Sequence, residues 1–174
     1  MLKNRDKAFE LLRALGASDR LLLHAEIVSE VAVLLAQLCK NADASIDFAL
    51  VEIGAIIHDS GKIIHINELS EPGNKHEAAG NKLMLENGAS REQARFCLSH
   101  AQFKQMSVSL EELTVALADK IWKGKRVVDL ELKFLQQIAL SSGRDQWVIY
   151  SDIDDSLESI ASEGDIRLDR SKKA

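Results

Sequence analysis

The chain has 174 residues, 46% of them hydrophobic and 28% charged, which is the composition of an ordinary soluble globular domain. Its formal net charge of −5 argues against a dedicated binder of duplex DNA, because such proteins need basic surfaces for the phosphate backbone. No apolar run approaches the roughly 18 residues of a membrane span, and the N-terminal sequence MLKNRDKAFE lacks the apolar core of a signal peptide. The two cysteines, Cys39 and Cys97, lie in apolar segments and suit a reducing compartment. We therefore predict a cytoplasmic protein that binds neither duplex DNA nor membranes, and the sequence leaves its oligomeric state open.

Apolar residues recur with a helical period along almost the whole chain, and one proline and nine glycines leave few helix breakers. We predict helices at about residues 3–15, 18–39, 47–59, 75–86, 90–101, 109–126, 128–140 and 145–162. The third helix is capped by either Ser45 or Asp47. Residues 60–74 contain the proline and two glycines and are predicted as a loop, and the polar tail 165–174 is predicted to fray. The predicted fold is all-α, a compact single-domain bundle of about eight helices.

Three serines mark helix starts in this pattern. Ser18 precedes the second helix and is a typical N-cap residue. Ser90 is followed by Gln93, and Ser109 is followed by Glu112, so both pairs have the spacing of a capping box. These signals place the starts of three helices more firmly than hydrophobic periodicity alone.

Several polar residues fall on the predicted core faces of different helices. His24, for example, shares its face with Ile27, Val28 and Val31. A buried polar group without a partner costs roughly 1–3 kcal/mol, so a lone inward histidine is best interpreted as a hydrogen-bonded core residue. Five such residues in one small domain are satisfied most simply by a shared cation, and imidazole and carboxylate suit iron, manganese, cobalt, nickel or zinc. The five residues are His24, His58, His76, His100 and Asp119.

The order of these residues resembles that of the HD-domain superfamily, in which a histidine is followed by a His-Asp pair and then by an aspartate. Here the segments are LLLH, ending at His24, IIHDSGK, with His58 and Asp59, and LADK, with Asp119. The HDSGK segment is also similar to the HDxGK form that many members carry. The resemblance covers roughly residues 20–126 and implies that these four residues bind a first metal ion.

Two more histidines resemble the extra ligands of the binuclear HD subgroup, His76 in KHEAAG and His100 in CLSH. In that subgroup the aspartate of the His-Asp pair bridges two metals, so the resemblance implies a second site formed by Asp59, His76 and His100. The spacing between the His-Asp pair and His76 is short beside that of HD-GYP phosphodiesterases, and the GYP signature is absent. We therefore expect one or two divalent transition-metal ions and no cyclic-dinucleotide activity.

Basic residues near the predicted metal ligands are candidates for binding a substrate phosphate. Lys62 follows the His-Asp pair after Gly61, which is interpreted as a flexible turn, and the resemblance places this lysine near the phosphate. On the sixth helix, predicted to reach residue 126, Lys123 and Arg126 lie at i+4 and i+7 from Asp119. If Asp119 faces a metal, they extend its face, although a solvated helix end that complements the helix dipole fits them equally well. Trp122 is a candidate for the rim of the substrate site.

The function implied is that of a metal-dependent phosphohydrolase, which cleaves a phosphate ester or anhydride, by preference of a nucleotide, with metal-activated water. Asp59 and Lys62 are its expected catalytic residues. A di-iron oxygenase that uses the same ligands is the first alternative, and a non-catalytic metal- or nucleotide-binding regulatory module is the second. The single domain is predicted to span residues 1–174, with the metal-site core at about 20–126 and the helices at about 128–162 packed on it.

Overall fold

In the computed structural model, which describes residues 1–173, that part of the chain forms α-helices and two 3₁₀ helices and contains no β-strand. The α-helices are α1 (Arg5–Ala14), α2 (Asp19–Asn41), α3 (Phe48–Ile57), α4 (Lys75–Glu86), α5 (Arg91–Gln102), α6 (Leu110–Ile121), α7 (Val128–Ser142), α8 (Gln146–Ser162) and α9 (Gly164–Ser171). The 3₁₀ helices η1 (Ser60–Ile63) and η2 (Ile66–Leu69) lie between α3 and α4. The predicted all-α bundle is confirmed.

The capping signals act as predicted. The Ser18 hydroxyl accepts a hydrogen bond from the Leu21 amide, and both capping boxes, Ser90 with Gln93 and Ser109 with Glu112, are complete. Of the two caps that the sequence left open for α3, the structure uses the aspartate: the Asp47 side chain accepts from the Leu50 amide. Local hydrogen bonds therefore set several helix starts.

Three segments differ from their predictions. Helix α6 ends at Ile121 instead of continuing to Arg126, because the chain turns at Gly124, which has a φ of +78°. The predicted loop 60–74 contains η1 and η2. The tail, predicted to fray, forms α9, because its Arg170 guanidinium pairs with the Glu30 carboxylate of α2 and anchors it.

The core consists of two clusters of buried apolar side chains. The larger cluster joins α2, α6, α7 and α8 with parts of α3 and α5, and the smaller one joins mainly α1, α3, α4 and α5. Helices α2, α3 and α6 pack on one another at the centre of the bundle. The histidines and aspartates of the candidate site come from these central helices and from α4 and α5, which pack against each other beside them.

Within residues 1–173, α2 alone is long and apolar enough to cross a bilayer by length and composition. Its apolar side chains from Leu21 to Cys39 pack against α3 and α6, as those of a core helix do. Its Glu26 and Glu30 carboxylates form ion pairs with Arg170. This length and hydropathy are therefore explained by burial in the bundle. The predicted division into a metal-site core and packing helices stays a prediction.

Candidate metal centre

The structure brings all six residues predicted to bind metal into one cluster. Each comes from the end of an element: one from near the start of α2, two from the junction of α3 and η1, one from the first turn of α4, and one each from the last turns of α5 and α6. All are buried except the histidine from α2, His24, which is partly buried. The residues are His24, His58, Asp59, His76, His100 and Asp119.

Asp59 lies at the middle of this cluster, and its two carboxylate oxygens face opposite sides. Oδ2 lies 3.1 Å from His24 Nε2 and 3.5 Å from His58 Nε2. Asp119 Oδ1 lies 3.7 Å from each of the same two nitrogens. These four residues enclose one candidate position for a cation.

The other oxygen of Asp59 faces the remaining two histidines. Asp59 Oδ1 lies 3.3 Å from His76 Nε2 and 3.7 Å from His100 Nε2. These three residues form a second possible metal-binding group, and Asp59 is common to both groups. This arrangement is compatible with a binuclear centre in which one carboxylate bridges two cations.

The outer nitrogens of three histidines hold the rings in place. Nδ1 of His58 donates to the Ala55 carbonyl at 2.7 Å, Nδ1 of His100 donates to the Phe96 carbonyl at 3.0 Å, and Nδ1 of His76 donates to Glu68 Oε2 at 2.6 Å. A carbonyl oxygen can only accept, so Nδ1 of His58 and His100 carries a proton, and in the neutral form of each ring the Nε2 lone pair faces the centre, as in histidines that bind metals.

The inner nitrogens lack partners. The Nε2 atoms of His24, His58 and His76 are buried and make no hydrogen bond within the protein. A buried nitrogen without a hydrogen bond lowers the stability of the fold. Cations bound at the two carboxylates would give all three nitrogens a partner. The donor set of imidazole and carboxylate therefore fits divalent transition metals.

The electrostatics of the cluster keep its carboxyl groups ionised. Burial alone would raise the pKa of Asp59, but His58, His24 and Lys62 hold it well below its usual value. The pKa of Asp119 is likewise lowered, since the neighbouring His58 outweighs the effect of burial. Burial and the neighbouring His58 lower the pKa of His100 to about 4, so this ring is neutral near pH 7. An ionised carboxylate and a neutral imidazole are the forms that bind metals.

The Asp59 and His76 segments are held together by a close approach between η1 and α4. A Cβ atom on Gly61 would overlap the main-chain oxygen of His76 and lie 2.6 Å from the amide nitrogen of Gly80. Gly61, interpreted from the sequence as a flexible turn, is therefore a buried packing position. Its missing side chain allows the two backbones to touch, and this contact sets the distance between Asp59 and His76.

An open pocket of about 820 Å3 lies over the cluster. Its lining includes Lys62, Lys123 and Trp122, three of the residues that the sequence singled out for the substrate. Lys62 Nζ lies 2.6 Å from Asp59 Oδ2, directly at the candidate centre. Trp122 is buried, its ring lies edge-on to that of His24, and its indole nitrogen has no hydrogen-bond partner. The roles predicted for these three residues stay predictions.

Arg126 is the one predicted phosphate ligand that the structure does not bring to this pocket. Its guanidinium donates to Glu131, Asp154 and Glu158 and so ties α7 to α8. The prediction assumed that the face of α6 continues to residue 126, but α6 ends at Ile121 and the chain turns away. The guanidinium that was expected to bind a substrate phosphate thus pairs with three carboxylates of the protein.

Other residues of the pocket were missed by sequence reasoning. Glu68 binds His76, and Lys120, interpreted as part of a helix end, bonds Asp119 at 2.7 Å. Arg20 and Lys172 line the rim of the pocket. Glu68 and Lys172 lie in segments predicted as a loop and a frayed tail, where hydrophobic periodicity carries no signal.

The HD domain family matches residues 28–122, which is more than half of the chain. The chain therefore belongs to the HD domain family, whose members are generally metal-dependent hydrolases. The match spans every residue of the cluster except His24, which lies just before it on the same helix. Comparison with curated proteins and with solved structures gave no significant match.

Proposed function

We propose that this protein is a metal-dependent phosphohydrolase that cleaves a phosphate ester or anhydride of a nucleotide in the cytoplasm. The observation that carries the proposal is the convergence of three unpartnered, buried histidine nitrogens on Asp59 and Asp119 beneath a pocket lined by lysines. Membership of the HD domain family supports the same reaction class.

The six residues of the cluster would hold one or two divalent ions, and Asp59 belongs to both groups of candidate ligands. Such ions, when bound, lower the pKa of water and withdraw charge from phosphoryl oxygens. The protein's own side chains would supply the remaining contacts to the reacting phosphate. Lys62 Nζ lies beside Asp59 and would bind a non-bridging phosphate oxygen, where negative charge grows as the bond breaks.

Trp122 and Lys123 bind the part of the substrate beyond the reacting phosphate. The indole ring lines the pocket beside His24 and offers an aromatic surface to a nucleotide base. Lys123 Nζ lies 5.8 Å from the centroid of that ring, and Lys123 lines the same pocket. These groups orient an anion with an aromatic part, which is the chemistry of a nucleotide.

A di-iron oxygenase would use the same metal-binding residues, so only the pocket lining favours one proposal over the other. Five basic side chains in the lining suit a phosphate better than they suit a neutral organic substrate. Oxygen uptake without phosphate release would move the assignment to the oxygenase.

The test measures metal content of the purified chain and phosphate release from a panel of nucleotides with manganese, cobalt or nickel. We expect bound metal and phosphate release, with release greatly reduced in Lys62→Ala while its metal content is unchanged. Lys82→Ala, at an exposed residue of α4 paired with Glu86, is the matched control. A protein that binds no metal and releases no phosphate after reconstitution would contradict the proposal and leave a helical binding module.

A further inference from the structure

The pocket over the candidate metal centre is lined by many charged side chains of both signs. Its carboxylates are the two metal-binding aspartates and three glutamates, Glu68, Glu71 and Glu77. Its basic residues match them in number and come from α2, η1, the end of α6 and the end of α9. They are Arg20, Lys62, Lys120, Lys123 and Lys172.

The protein charges of the pocket therefore cancel, and the bound cations decide its net charge. Two divalent ions would leave it strongly positive. A single phosphoryl group brings only about two negative charges near pH 7, which is less than this excess. A chain of two or more phosphates matches the excess more closely, and a pocket of about 820 Å3 has room for it.

Four of the five basic residues form an inner and an outer group. Lys62 and Lys120 bond the metal-binding Asp59 and Asp119 directly, and they are mostly buried. Arg20 and Lys172 do not contact these aspartates. Arg20 donates to Ser70 Oγ at 3.0 Å, and Lys172, which is largely exposed, donates to Asp169 at 2.8 Å.

Helix α9, which Lys172 follows directly, is fixed to the rest of the bundle at both ends. At its start, a Cβ atom on Gly164 would overlap the backbone of Gly124, so α9 touches the turn that follows Trp122. At its end, the Arg170 guanidinium makes two hydrogen bonds to Glu30 of α2, at 2.6 and 3.0 Å. Helix α9 lies outside the part of the chain that matches the HD domain family.

We propose that α9 is one wall of the substrate pocket, and that Lys172 and Arg20 bind a phosphate beyond the one that reacts, so that the substrate carries at least two linked phosphates. The proposal rests on the proposed function, because the inner lysines and the metal centre take the reacting phosphate. Arg20 and Lys172 contact only the second phosphate, so they favour binding of a longer phosphate chain over binding of a monophosphate.

The experiment uses the metal-loaded full-length chain and two slowly hydrolysed probes, adenosine thiomonophosphate and α,β-methylene-ADP. Isothermal calorimetry gives the dissociation constant of each probe for the unmodified protein, Lys172→Ala and Lys173→Ala, with the metal content checked after each titration. Lys173 is the matched control, because it lines a different surface pocket with residues of α1 and α2.

We expect the unmodified protein to prefer the two-phosphate probe. Lys172→Ala should weaken binding of that probe about tenfold, as for a lost charge-assisted contact, and leave the one-phosphate probe unchanged. Lys173→Ala should change neither. Equal losses in the two lysine variants, equal losses for the two probes, or no preference in the unmodified protein would each overturn the proposal.

These outcomes are separable from those of the proposed function, because the binding measurement needs no turnover. If the expected binding pattern appears but no nucleotide releases phosphate, the hydrolase assignment fails and the two-phosphate pocket stands. If nucleotides are hydrolysed and Lys172→Ala binds both probes normally, the pocket proposal alone fails.

Discussion

Glu68 Oε2 accepts a hydrogen bond from Nδ1 of His76 at 2.6 Å and another from the His76 amide at 3.0 Å. The other carboxylate oxygen of Glu68 accepts from the amide of Lys75 at 3.2 Å. One side chain of η2 therefore caps the start of α4 and orients a histidine of the candidate centre. Burial alone would raise the pKa of Glu68, but the bonds from His76 and Lys75 lower it, so the carboxylate stays ionised near pH 7.

Glu68→Gln should weaken metal binding at the Asp59, His76 and His100 group by about 10- to 100-fold, because the amide orients the imidazole less firmly and makes it less basic. Binding at the group that contains His24 should change little. Titration of the metal-free chain with manganese or cobalt measures both sites. Glu86→Gln on the same helix is the control, and equal weakening of both sites in Glu68→Gln would contradict this role.

Asp59→Asn should remove metal from both groups, because this carboxylate is common to the two. We expect the metal content to fall to near zero, whether the unmodified chain holds one ion or two. Elemental analysis of the purified variant measures this content. Asp129→Asn, at an exposed residue paired with Lys104, should keep full content. Retention of one ion in Asp59→Asn would show that this aspartate belongs to a single site.

Gly61→Ala should destabilise the protein by about 2–4 kcal/mol, because the added methyl group meets the backbone of α4, which has no flexible end to move. Gly16→Ala is a useful comparison: nothing lies near its Cβ position, and only its φ of +86° opposes the change. That variant should lose about 1 kcal/mol. Denaturant unfolding measures both values, and equal losses would argue against the close contact between η1 and α4.

Arg126→Met should lower stability by about 1–3 kcal/mol, because the buried Glu131 carboxylate loses its cationic partner and keeps only the hydrogen bond from the Val127 amide. Metal content and phosphate release should be unchanged, since the guanidinium lies outside the pocket. Arg144→Met, which removes one pairing with Asp152 nearer the surface, should cost less than about 1 kcal/mol. Impaired substrate binding without lost stability in Arg126→Met would restore the role predicted from the sequence.

Cys39 and Cys97 should resist thiol reagents in the native protein near pH 8. Both side chains are buried, and burial raises the pKa of each thiol to about 12, so almost no thiolate forms. Both should react rapidly after unfolding in guanidinium, which controls for the presence of free thiols. A native thiol that reacts at the unfolded rate would indicate local opening of α2 or α5.

Much of the candidate centre could be predicted because its signals are local. The core faces of α2 and α6 place His24 and Asp119 inward by helical periodicity, and periodicity relates residues only three or four positions apart. The helix caps at Ser18, Ser90 and Ser109 depend on hydrogen bonds of the same short range. The order of histidines and aspartates along the chain carried the resemblance to the HD domain family, which the comparison confirms.

The sequence by itself thus determined an all-helical fold and a cluster of histidines and aspartates that fits metal ions. Only the tertiary structure decided which other residues join them. Glu68 and Lys172 lie in segments without periodicity, and Arg170 meets Glu30 across 140 residues of sequence. Such contacts depend on how complete helices pack, so the sequence assigned Arg126 to the substrate while the packing of α7 and α8 surrounded it with carboxylates.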